Sequence, residues 1–334
     1  MIEKIKIIAE AGVNHNGKLD YAYKLIDIAS KCNADIVKFQ ITNSELITDK
    51  AVKAKYQINK IKNESQREMV KKLEMDWDHV NPILIRYSKK KKIDFLTTAF
   101  DINALEHLKK LNFKIFKVPS GEIINHPYLK KLASYKAKII MSTGMANMKE
   151  IAEAVSILTN NGTRLKDITL MQCNTAYPTP YVDVNLRAME TLKNNFGTNI
   201  GYSDHTLGIE ASIAAAALGA KVIEKHFTIS TNLKGPDHKS SLSPKMLDNL
   251  VRSIRNVEKS LGNGIKIPTK SESINIKVAR QSIVAKVDIG KNENFTINNI
   301  MCKRAGIGLS PSKFDILLKK KAKKVFKKDD LIVI

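Results

Sequence analysis

Short runs rich in β-branched residues alternate along the chain with longer amphipathic stretches, and this alternation limits the possible folds more than any other feature. Strands that alternate with helices favour parallel strands joined by helical crossovers. Eight such β/α units close into a barrel. The eight runs are "IKIIAEAG", "DIVKFQ", "DFLTTAF", "KIFKVPS", "AKIIMST", "ITLMQCN", "NIGYSD" and "KVIEKHF". We therefore predict a (β/α)8 TIM barrel of the α/β class.

A doubly wound open sheet is the alternative fold that the same alternation permits. Its dinucleotide-binding form carries a G-x-G-x-x-G turn directly after the first strand. No such turn follows "IKIIAEAG". The sequence therefore favours the barrel over a dinucleotide-binding sheet.

The composition is that of a soluble globular protein with room for one large domain and a small satellite. The chain has 334 residues, of which 43% are hydrophobic and 27% are charged. We find neither an apolar run of membrane-spanning length nor a signal peptide, so we predict a cytoplasmic protein without a membrane partner. The three cysteines, Cys32, Cys173 and Cys302, form no CxxC pair, which argues against a disulfide framework and a thiolate zinc site.

The formal charge of +23 raises the question of a nucleic-acid partner. The lysines are spread along the whole chain, and the local runs "KKKK" and "KKKAKKVFKK" contain little of the aromatic interleaving that single-strand binding uses. We predict that these runs are solvated faces and that nucleic acid is not a partner. A field of this sign also attracts a small anionic substrate.

Polar residues end the predicted strands, where barrel enzymes keep their active sites. In chain order these residues are Glu10, Lys38 with Gln40, Thr98, Lys117 with Ser120, Ser142 with Thr143, Asn174, Ser203 with His205, and Glu224 with His226. Since the carboxyl ends of parallel barrel strands meet at one mouth, we expect these side chains to converge there.

Two histidines follow the seventh and eighth predicted strands. His205 and His226 would stand at adjacent strand ends, near enough to share one ion, and neutral imidazole is the commonest side-chain metal ligand. Two histidines by themselves do not establish that a metal is bound. His15 and His238 lie in predicted loops that could also line the mouth.

Two lysines lie inside apolar strands. Burial of an ammonium group requires an anionic partner, so Lys38 and Lys117 predict an anionic ligand. The hydroxyls of Thr98, Ser120, Ser142 and Ser203 would suit a phosphate and a carboxylate on one molecule. A Schiff-base lysine is the alternative, but it explains neither the second lysine nor the histidine pair.

Nine stretches of this sequence together resemble the sialic acid synthase family, which comprises bacterial N-acetylneuraminate synthases and their legionaminate and pseudaminate relatives. Eight lie in the predicted barrel: "AEAGVNHNG", "VKFQ", "KVPSGEI", "STGMA", "CNTAYPTP", "GYSDHTLG", "IEKHFT" and "GPDHKSSLSP". The ninth, "ARQSIVAKVDIGKNENFTINNIMCKRAGIGLSP", is similar to the small C-terminal antifreeze-like domain of that family. The resemblance implies a barrel at residues 1–262, a linker at 263–277 and an antifreeze-like domain at 278–334.

The resemblance also implies a reaction and a role for each matching residue. Phosphoenolpyruvate would condense with the open-chain aldehyde of an N-acetylated hexosamine, with Glu10 as the catalytic glutamate and a divalent ion, Mn²⁺ or Mg²⁺, held by His205 and His226. Positions that match phosphoenolpyruvate-binding residues are Lys38, Thr98, Lys117, Ser120, Ser142 and Ser203. Positions that match sugar-facing residues are Gln40, Thr175, Tyr177 and Asp237. The resemblance further implies a homodimer in which Arg304 reaches the partner's sugar site in trans.

Four departures from the family pattern bear on the sugar site. Gln172 stands where many relatives have His, and Ala176 stands where some have Glu. Ala305 and Ile307 replace the Pro and Asn of the common "KRPGNG" turn. The block "AVKAKYQINK" resembles neuraminate and legionaminate synthases more than pseudaminate ones.

Our first expectation for the substrate is N-acetylmannosamine, with N-acetylneuraminate and phosphate as products. The alternative is an N,N'-diacetyllegionaminate synthase that uses 2,4-diacetamido-2,4,6-trideoxymannose. The hypothesis from another functional class is a barrel that binds anions without catalysis.

Overall fold

The computed structural model describes residues 4–53, 57 and 64–333, and most of "AVKAKYQINK" lies outside this part of the chain. The chain divides into two compact units, Met1–Gly262 and Asn263–Ile334. Over the described residues, every helix is too short or too polar to cross a membrane. The two units are described separately below.

The first unit is a closed barrel of eight parallel strands that follow one another in chain order. The first and last strands pair in parallel and close it. This topology confirms the predicted (β/α)8 barrel and excludes the open sheet. The strands are β1 (Lys6–Gly12), β2 (Ile36–Ile41), β3 (Asp94–Ala99), β4 (Ile115–Val118), β5 (Lys138–Ser142), β6 (Ile168–Cys173), β7 (Asn199–Asp204) and β8 (Val222–His226).

The helices of the first unit bury an apolar face against the strands. The longest shows the reason in its sequence, because Leu247, Leu250, Val251 and Ile254 recur at helical spacing and are all buried. Ser243 begins this helix by accepting a hydrogen bond from the Met246 backbone. The helices are α1 (Leu19–Lys31), α2 (Gln66–Lys71), α3 (Trp77–Lys90), α4 (Ile102–Lys110), α5 (His126–Ala133), α6 (Met148–Asn160), α7 (Ala188–Phe196), α8 (Glu210–Ala217) and α9 (Pro244–Leu261).

The barrel interior is built in two layers, one apolar and one polar. The apolar layer is a cluster of buried side chains, namely Ile8, Ile36, Leu96, Ile140, Met171 and Val222. Successive side chains on a strand face opposite sides, so the residue two positions later returns to the interior. Those residues are Glu10, Lys38, Thr98, Ser142, Cys173 and Glu224. The strands thus place their polar residues at their carboxyl ends, next to the apolar layer.

The second unit has a small hydrophobic core of its own, which includes Ile283, Ile289, Phe295 and Phe326. Two antiparallel strands, β9 (Ser282–Ala285) and β10 (Ile300–Lys303), pair with Ile300 opposite Ala285. Helices α10 (Lys270–Ala279) and α11 (Phe314–Leu317) complete this unit. Helix α10 occupies much of the stretch expected to be a linker, and the likeness to an antifreeze-like domain remains a prediction.

Candidate active site

A cavity of about 850 Å³ opens at the carboxyl ends of the barrel strands. Its walls include all thirteen barrel residues to which the resemblance assigned a role. These are Glu10, Lys38, Gln40, Thr98, Lys117, Ser120, Ser142, Thr175, Tyr177, Ser203, His205, His226 and Asp237. The fold therefore brings into one cavity residues that are up to 227 positions apart in the sequence, from Glu10 to Asp237. A cavity of this volume suits a small-molecule ligand.

Lys38 and two carboxylates form the buried charged centre of the cavity. The Lys38 Nζ lies 2.9 Å from the Glu10 Oε2 and 3.6 Å from the Glu224 Oε2. It also donates a hydrogen bond of 2.9 Å to the Thr98 hydroxyl. Burial alone would lower the pKa of Lys38, but the charges of Glu10 and Glu224 outweigh burial and raise it. This lysine therefore stays charged.

Lys117 lies on the other side of Glu224. Its Nζ donates a 2.7 Å hydrogen bond to the Ser142 hydroxyl and lies 3.6 Å from the Glu224 Oε1. The Ser203 hydroxyl donates to the same carboxylate oxygen at 3.1 Å. Burial lowers the pKa of Lys117, and the Glu224 charge opposes that shift. The two lysines and three hydroxyls around one carboxylate make a site that attracts anions.

The two buried carboxylates respond to this setting in opposite directions. Burial raises the pKa of Glu10 to about 7, and the nearby Glu224 charge adds to the shift while Lys38 opposes it. Burial also acts to raise the pKa of Glu224, but Lys117 and Lys38 outweigh it and hold that pKa below its usual range. Glu224 is therefore the fixed anion, and Glu10 can gain or lose a proton near neutral pH.

The two histidines expected to hold a metal are neighbours. Their ring centroids lie 5.5 Å apart, and the Tyr177 ring lies 3.9 Å from the His205 ring. The His205 Nδ1 hydrogen-bonds to the Asn174 carbonyl oxygen, which leaves Nε2 for another partner. The His226 Nδ1 is buried and has no hydrogen-bond partner within the described chain.

These features fit a divalent cation. Burial lowers the pKa of His226 well below its usual value, and the neighbouring His205 adds to that shift, so that the His226 ring is neutral. A neutral buried imidazole with a free nitrogen is a good metal ligand. No set of three or more His, Cys, Asp or Glu side chains in the described residues is arranged to hold a metal, so water or substrate would complete the coordination.

The outer wall of the cavity carries the residues expected to face a sugar. The Gln40 amide donates a 2.7 Å hydrogen bond to the Glu10 Oε1. The Asp237 Oδ2 lies 4.0 Å from the His226 Nδ1, and burial raises the pKa of Asp237 to about 6. Thr175 and Tyr177 lie on the loop that follows β6. These groups can donate and accept hydrogen bonds around a polyhydroxylated ligand.

A close approach of two loops explains the glycine in "STGMA". The Gly144 backbone N–H donates a 3.1 Å hydrogen bond to the Ser120 hydroxyl. A Cβ atom at Gly144 would lie only 2.8 Å from both the Ser120 Oγ and the Thr175 Cγ2. The glycine therefore allows these two cavity residues to approach the β5–α6 loop.

The structure corrects one expectation, since neither His15 nor His238 is among the described residues that line the cavity. The His15 ring packs against Trp77 with centroids 5.6 Å apart, and its Nδ1 accepts a hydrogen bond from the Gly17 backbone. His238 hydrogen-bonds to Thr228 instead. Both rings are buried behind the wall, where they hold loops.

Arg304 and the departures from the family pattern also have definite locations. Arg304 lies in the second unit, on an exposed stretch directly after β10. Gln172 donates a hydrogen bond to the Val184 carbonyl oxygen and is not among the described cavity residues. Gln172 therefore contacts the β6–α7 loop. Ala176 is exposed.

Glu224 is the site residue that the sequence reasoning left without a role. It follows the interior residue Val222 by two positions, as Lys38 follows Ile36. Its position at a strand end predicted that it lies at the mouth, and the same alternation also puts it on the cavity wall, between the two lysines. Cys173 also lines the cavity and lies 3.9 Å from the His205 Nδ1.

Comparison with known proteins identifies relatives over the full chain. The NeuB family model matches residues 25–266. The chain is 51% identical to N,N'-diacetyllegionaminic acid synthase of Campylobacter jejuni, over 99% of both chains. It is 37% identical to human N-acetylneuraminate-9-phosphate synthase, over 98% of this chain and 91% of that protein. The crystal structure of N-acetylneuraminic acid synthetase from Leptospira borgpetersenii superposes with a TM-score of 0.72 at 37% identity, over 82% of this chain and 90% of that one.

Proposed function

The chain belongs to the NeuB family, and on that premise we propose that it condenses phosphoenolpyruvate with an acetylated sugar aldehyde and releases phosphate. The product that we propose is N,N'-diacetyllegionaminic acid. The observation that carries this choice is the 51% identity, over nearly the whole of both chains, to a synthase of that acid. The alternative substrate reading of the sequence is therefore better supported than N-acetylneuraminate synthesis, which fits at the level of the family.

The cavity wall supports the choice of sugar. Its lining also contains apolar side chains, among them Leu46, Ile47, Met69, Leu73, Phe100 and Met145. The sugar 2,4-diacetamido-2,4,6-trideoxymannose has a C6 methyl group and a second acetamido methyl group where N-acetylmannosamine has hydroxyls. Apolar contacts favour those methyl groups, while unpaired hydroxyls would be desolvated at a cost.

Lys38 and Lys117 would bind the phosphate and carboxylate of phosphoenolpyruvate. Both ammonium groups are already held in the cavity by Glu224, so they need little reordering when the substrate arrives. The hydroxyls of Thr98, Ser120, Ser142 and Ser203 supply further donors to the phosphate. This arrangement supports binding of a small phosphorylated carboxylate.

His205 and His226 would hold Mn²⁺ or Mg²⁺, which would polarise the aldehyde oxygen as a Lewis acid. In the proposed condensation, C3 of phosphoenolpyruvate would form a bond to the aldehyde carbon, and water would add at C2. Breaking of the bond between C2 and the bridging oxygen releases phosphate. Glu10, with its pKa near neutrality and its hydrogen bond from Gln40, would exchange the proton with the sugar oxygen or the water.

Arg304 would complete the sugar site of a partner subunit in a homodimer. This part of the proposal rests on the resemblance of "KRAGIGLSP" to the matching segment of the family. Arg304 is exposed and makes no hydrogen bond or ion pair within the described residues. A planar guanidinium would bind a carbonyl or hydroxyl oxygen of the sugar in a fixed geometry.

Phosphate release tests the proposal directly. The purified full chain is incubated with phosphoenolpyruvate, Mn²⁺ and either 2,4-diacetamido-2,4,6-trideoxymannose or N-acetylmannosamine, with phosphoenolpyruvate alone as the control. Faster release with the diacetamido sugar supports the proposal. Release only with N-acetylmannosamine would support the sialic acid reading, and release with neither sugar would leave a barrel that binds anions without catalysis.

A further inference from the structure

A second row of charged residues lies behind the two histidines, on the opposite face of β7 and β8. Asp204 directly precedes His205, and Lys225 directly precedes His226. Because side chains alternate along a strand, these two residues face the surrounding helices when their neighbours face the cavity. Asp204 and Lys225 are directly opposite each other in the strand register, and each is only 1% exposed.

Lys225 binds the residues on both sides of His205. Its Nζ lies 3.0 Å from the Asp204 Oδ2 and donates hydrogen bonds of 2.6 Å and 3.1 Å to the Thr206 carbonyl oxygen and hydroxyl. All three ammonium protons therefore have an acceptor. Lys225 directly precedes His226 in β8. Its side chain therefore links the backbone next to His226 with the residues on both sides of His205.

Asp204 extends the same connection to the β7–α8 loop and to helix α8. Its Oδ1 accepts a 2.8 Å hydrogen bond from the Thr206 backbone and a 3.3 Å bond from the Tyr202 hydroxyl. Its Oδ2 accepts a 2.6 Å bond from the Ser212 hydroxyl, and Ser212 belongs to α8. The carboxylate is fully hydrogen-bonded, so the turn after His205 has little freedom.

Stability alone is a poor reason for such a pair. The desolvation cost of two buried charges commonly cancels their attraction, and apolar replacements of similar volume are often neutral or stabilising. The directional bonds of this pair have a further effect. Here they fix the backbone beside His205 and His226.

We propose that Asp204 and Lys225 form a positioning pair that sets the separation of the two imidazoles and thereby the affinity for the divalent cation. This inference rests on the proposed function, because it takes His205 and His226 as the metal ligands. Such sites need their ligands held within about 0.5 Å of the productive geometry. Neither positioning residue touches the substrate or the cation.

Binding of Mn²⁺ to the full chain, stripped of metal by a chelator and measured without substrates, tests the pair. Free Mn²⁺ is quantified by electron paramagnetic resonance for wild type, Asp204→Asn and Lys225→Met. We expect both variants to bind Mn²⁺ about 10- to 100-fold more weakly, the usual effect of losing a partner outside the ligands. We also expect saturating Mn²⁺ to restore turnover, with the KM for phosphoenolpyruvate unchanged, which a damaged fold would not do.

A half-buried ion pair in the same barrel gives the control. At the opposite end of the barrel, Asp35 pairs with Arg255 of α9 and accepts a 2.8 Å hydrogen bond from the Ile7 backbone of β1. Asp35→Asn and Arg255→Met should lower the unfolding temperature and leave the Mn²⁺ affinity at the wild-type value. Loss of Mn²⁺ affinity in these controls as well would assign the effect to general destabilisation and overturn the inference.

The remaining outcomes separate the inference from the proposed function. Wild-type Mn²⁺ affinity in folded Asp204→Asn and Lys225→Met overturns the positioning role alone. If both variants fail to fold, Ser212→Ala decides, because it removes one bond to Asp204 outside the barrel wall, and unchanged affinity in it overturns the inference. If the wild-type chain binds no Mn²⁺, the metal assignment fails with the inference, while phosphate release still tests the condensation separately.

Discussion

Two carboxylates share one buried lysine at the centre of the cavity, yet their chemistry differs. Glu224 has a lysine on each side, both 3.6 Å away, whereas Glu10 has Lys38 alone at 2.9 Å. The second lysine keeps Glu224 ionised, and burial brings the pKa of Glu10 to about 7. Paired acids whose surroundings separate their pKa values are the usual basis of acid–base roles. Glu10 is therefore the residue whose proton matters.

Replacement of Glu10 tests that role. Glu10→Gln keeps the shape of the side chain and removes the titrating oxygen, so we expect kcat to fall by about 10²-fold or more. Binding of phosphoenolpyruvate, measured by calorimetry, should remain close to wild type because Lys38 and Lys117 are intact. Glu153→Gln, an exposed carboxylate on α6, is the control. An unchanged kcat in Glu10→Gln would make Glu10 a structural partner of Lys38.

At the scale of elements, the end of β1 shows how one strand adapts to the site. The pairing of β1 with β2 shifts register between Glu10 and Gly12, and Gly12 has a φ of +53°. Residues other than glycine are strained in that region of backbone conformation. A Cβ at Gly12 would also lie 3.2 Å from the His226 ring. The bulge thus leaves room for one of the imidazoles.

Substitution of Gly12 separates strain from function. Gly12→Ala should lose about 1–2 kcal/mol of stability from its left-handed backbone, and it should also weaken Mn²⁺ binding because the His226 ring must move. Gly197→Ala is the matched control, since Gly197 has a φ of +64° and nothing within 4 Å of the added Cβ. It should lose similar stability in urea unfolding and keep Mn²⁺ affinity. Equal Mn²⁺ affinity in the two variants would contradict the packing argument.

The opposite end of the barrel is closed by a charged cluster that joins β1, β2 and α9. Asp35 lies just before β2, and its carboxylate accepts hydrogen bonds from Lys4, the Ile7 backbone and Arg255. Burial acts to raise the pKa of Asp35, but these donors outweigh burial and lower it. Arg255 belongs to α9 and also donates to the Ile5 carbonyl oxygen. This cluster stabilises closure between the first two strands and the last barrel helix.

The pH dependence of stability follows from that shift. A carboxylate with a lowered pKa in the folded state stabilises it above the unfolded pKa, about 3.9 for Asp, and this contribution is lost as the pH falls through the folded value. Asp35→Asn should therefore lower the free energy of unfolding by about 1–3 kcal/mol at neutral pH. The difference from wild type should shrink in acid.

Fluorescence of Trp77, the single tryptophan of the chain, reports unfolding of the barrel unit in urea. Asp20→Asn is the control, because Asp20 and Lys24 form an exposed pair whose loss should cost less than about 1 kcal/mol. A difference between Asp35→Asn and wild type that stays constant from neutral to acid pH would show that the charge of Asp35 is not the source.

The elements were predictable from the sequence because their signals are local. Each of the eight predicted strands contains or overlaps the observed one, and "NIGYSD" coincides with β7. The convergence of strand ends followed from parallel topology alone. What escaped prediction depends on contacts across strands: the pairing of Asp204 with Lys225, and the position of Glu224 between two lysines, need the register. His15 and His238 were misplaced because loop residues carry no periodicity to show which way they face.

At the scale of the whole molecule, the proposed sugar site would take residues from both units. The barrel unit supplies the cavity, and the second unit has a separate core that supports an exposed arginine, Arg304. The proposed dimer would bring that arginine to a partner's cavity. In such a dimer, a Glu10 variant would have a defective barrel unit and an intact arginine. An Arg304 variant would have an intact barrel unit and lack the arginine.

Mixing two inactive chains tests this division. In a homodimer with Arg304 acting in trans, a heterodimer of Glu10→Gln and Arg304→Ala chains has one barrel with an intact Glu10 and an intact arginine from its partner. Random pairing makes half of the dimers heterodimers, each with one of its two sites complete, so we expect activity to return to about a quarter of wild type, if the sites act independently. A mixture of Glu10→Gln with Arg280→Ala, which alters another exposed arginine of the second unit, is the control for the choice of arginine, since Arg280→Ala should be active alone and this mixture should keep about half of the wild-type activity before and after exchange. Demonstrated subunit exchange, by affinity tags on the two chains, without any return of activity would mean that Arg304 acts within its own chain or has no part in the reaction.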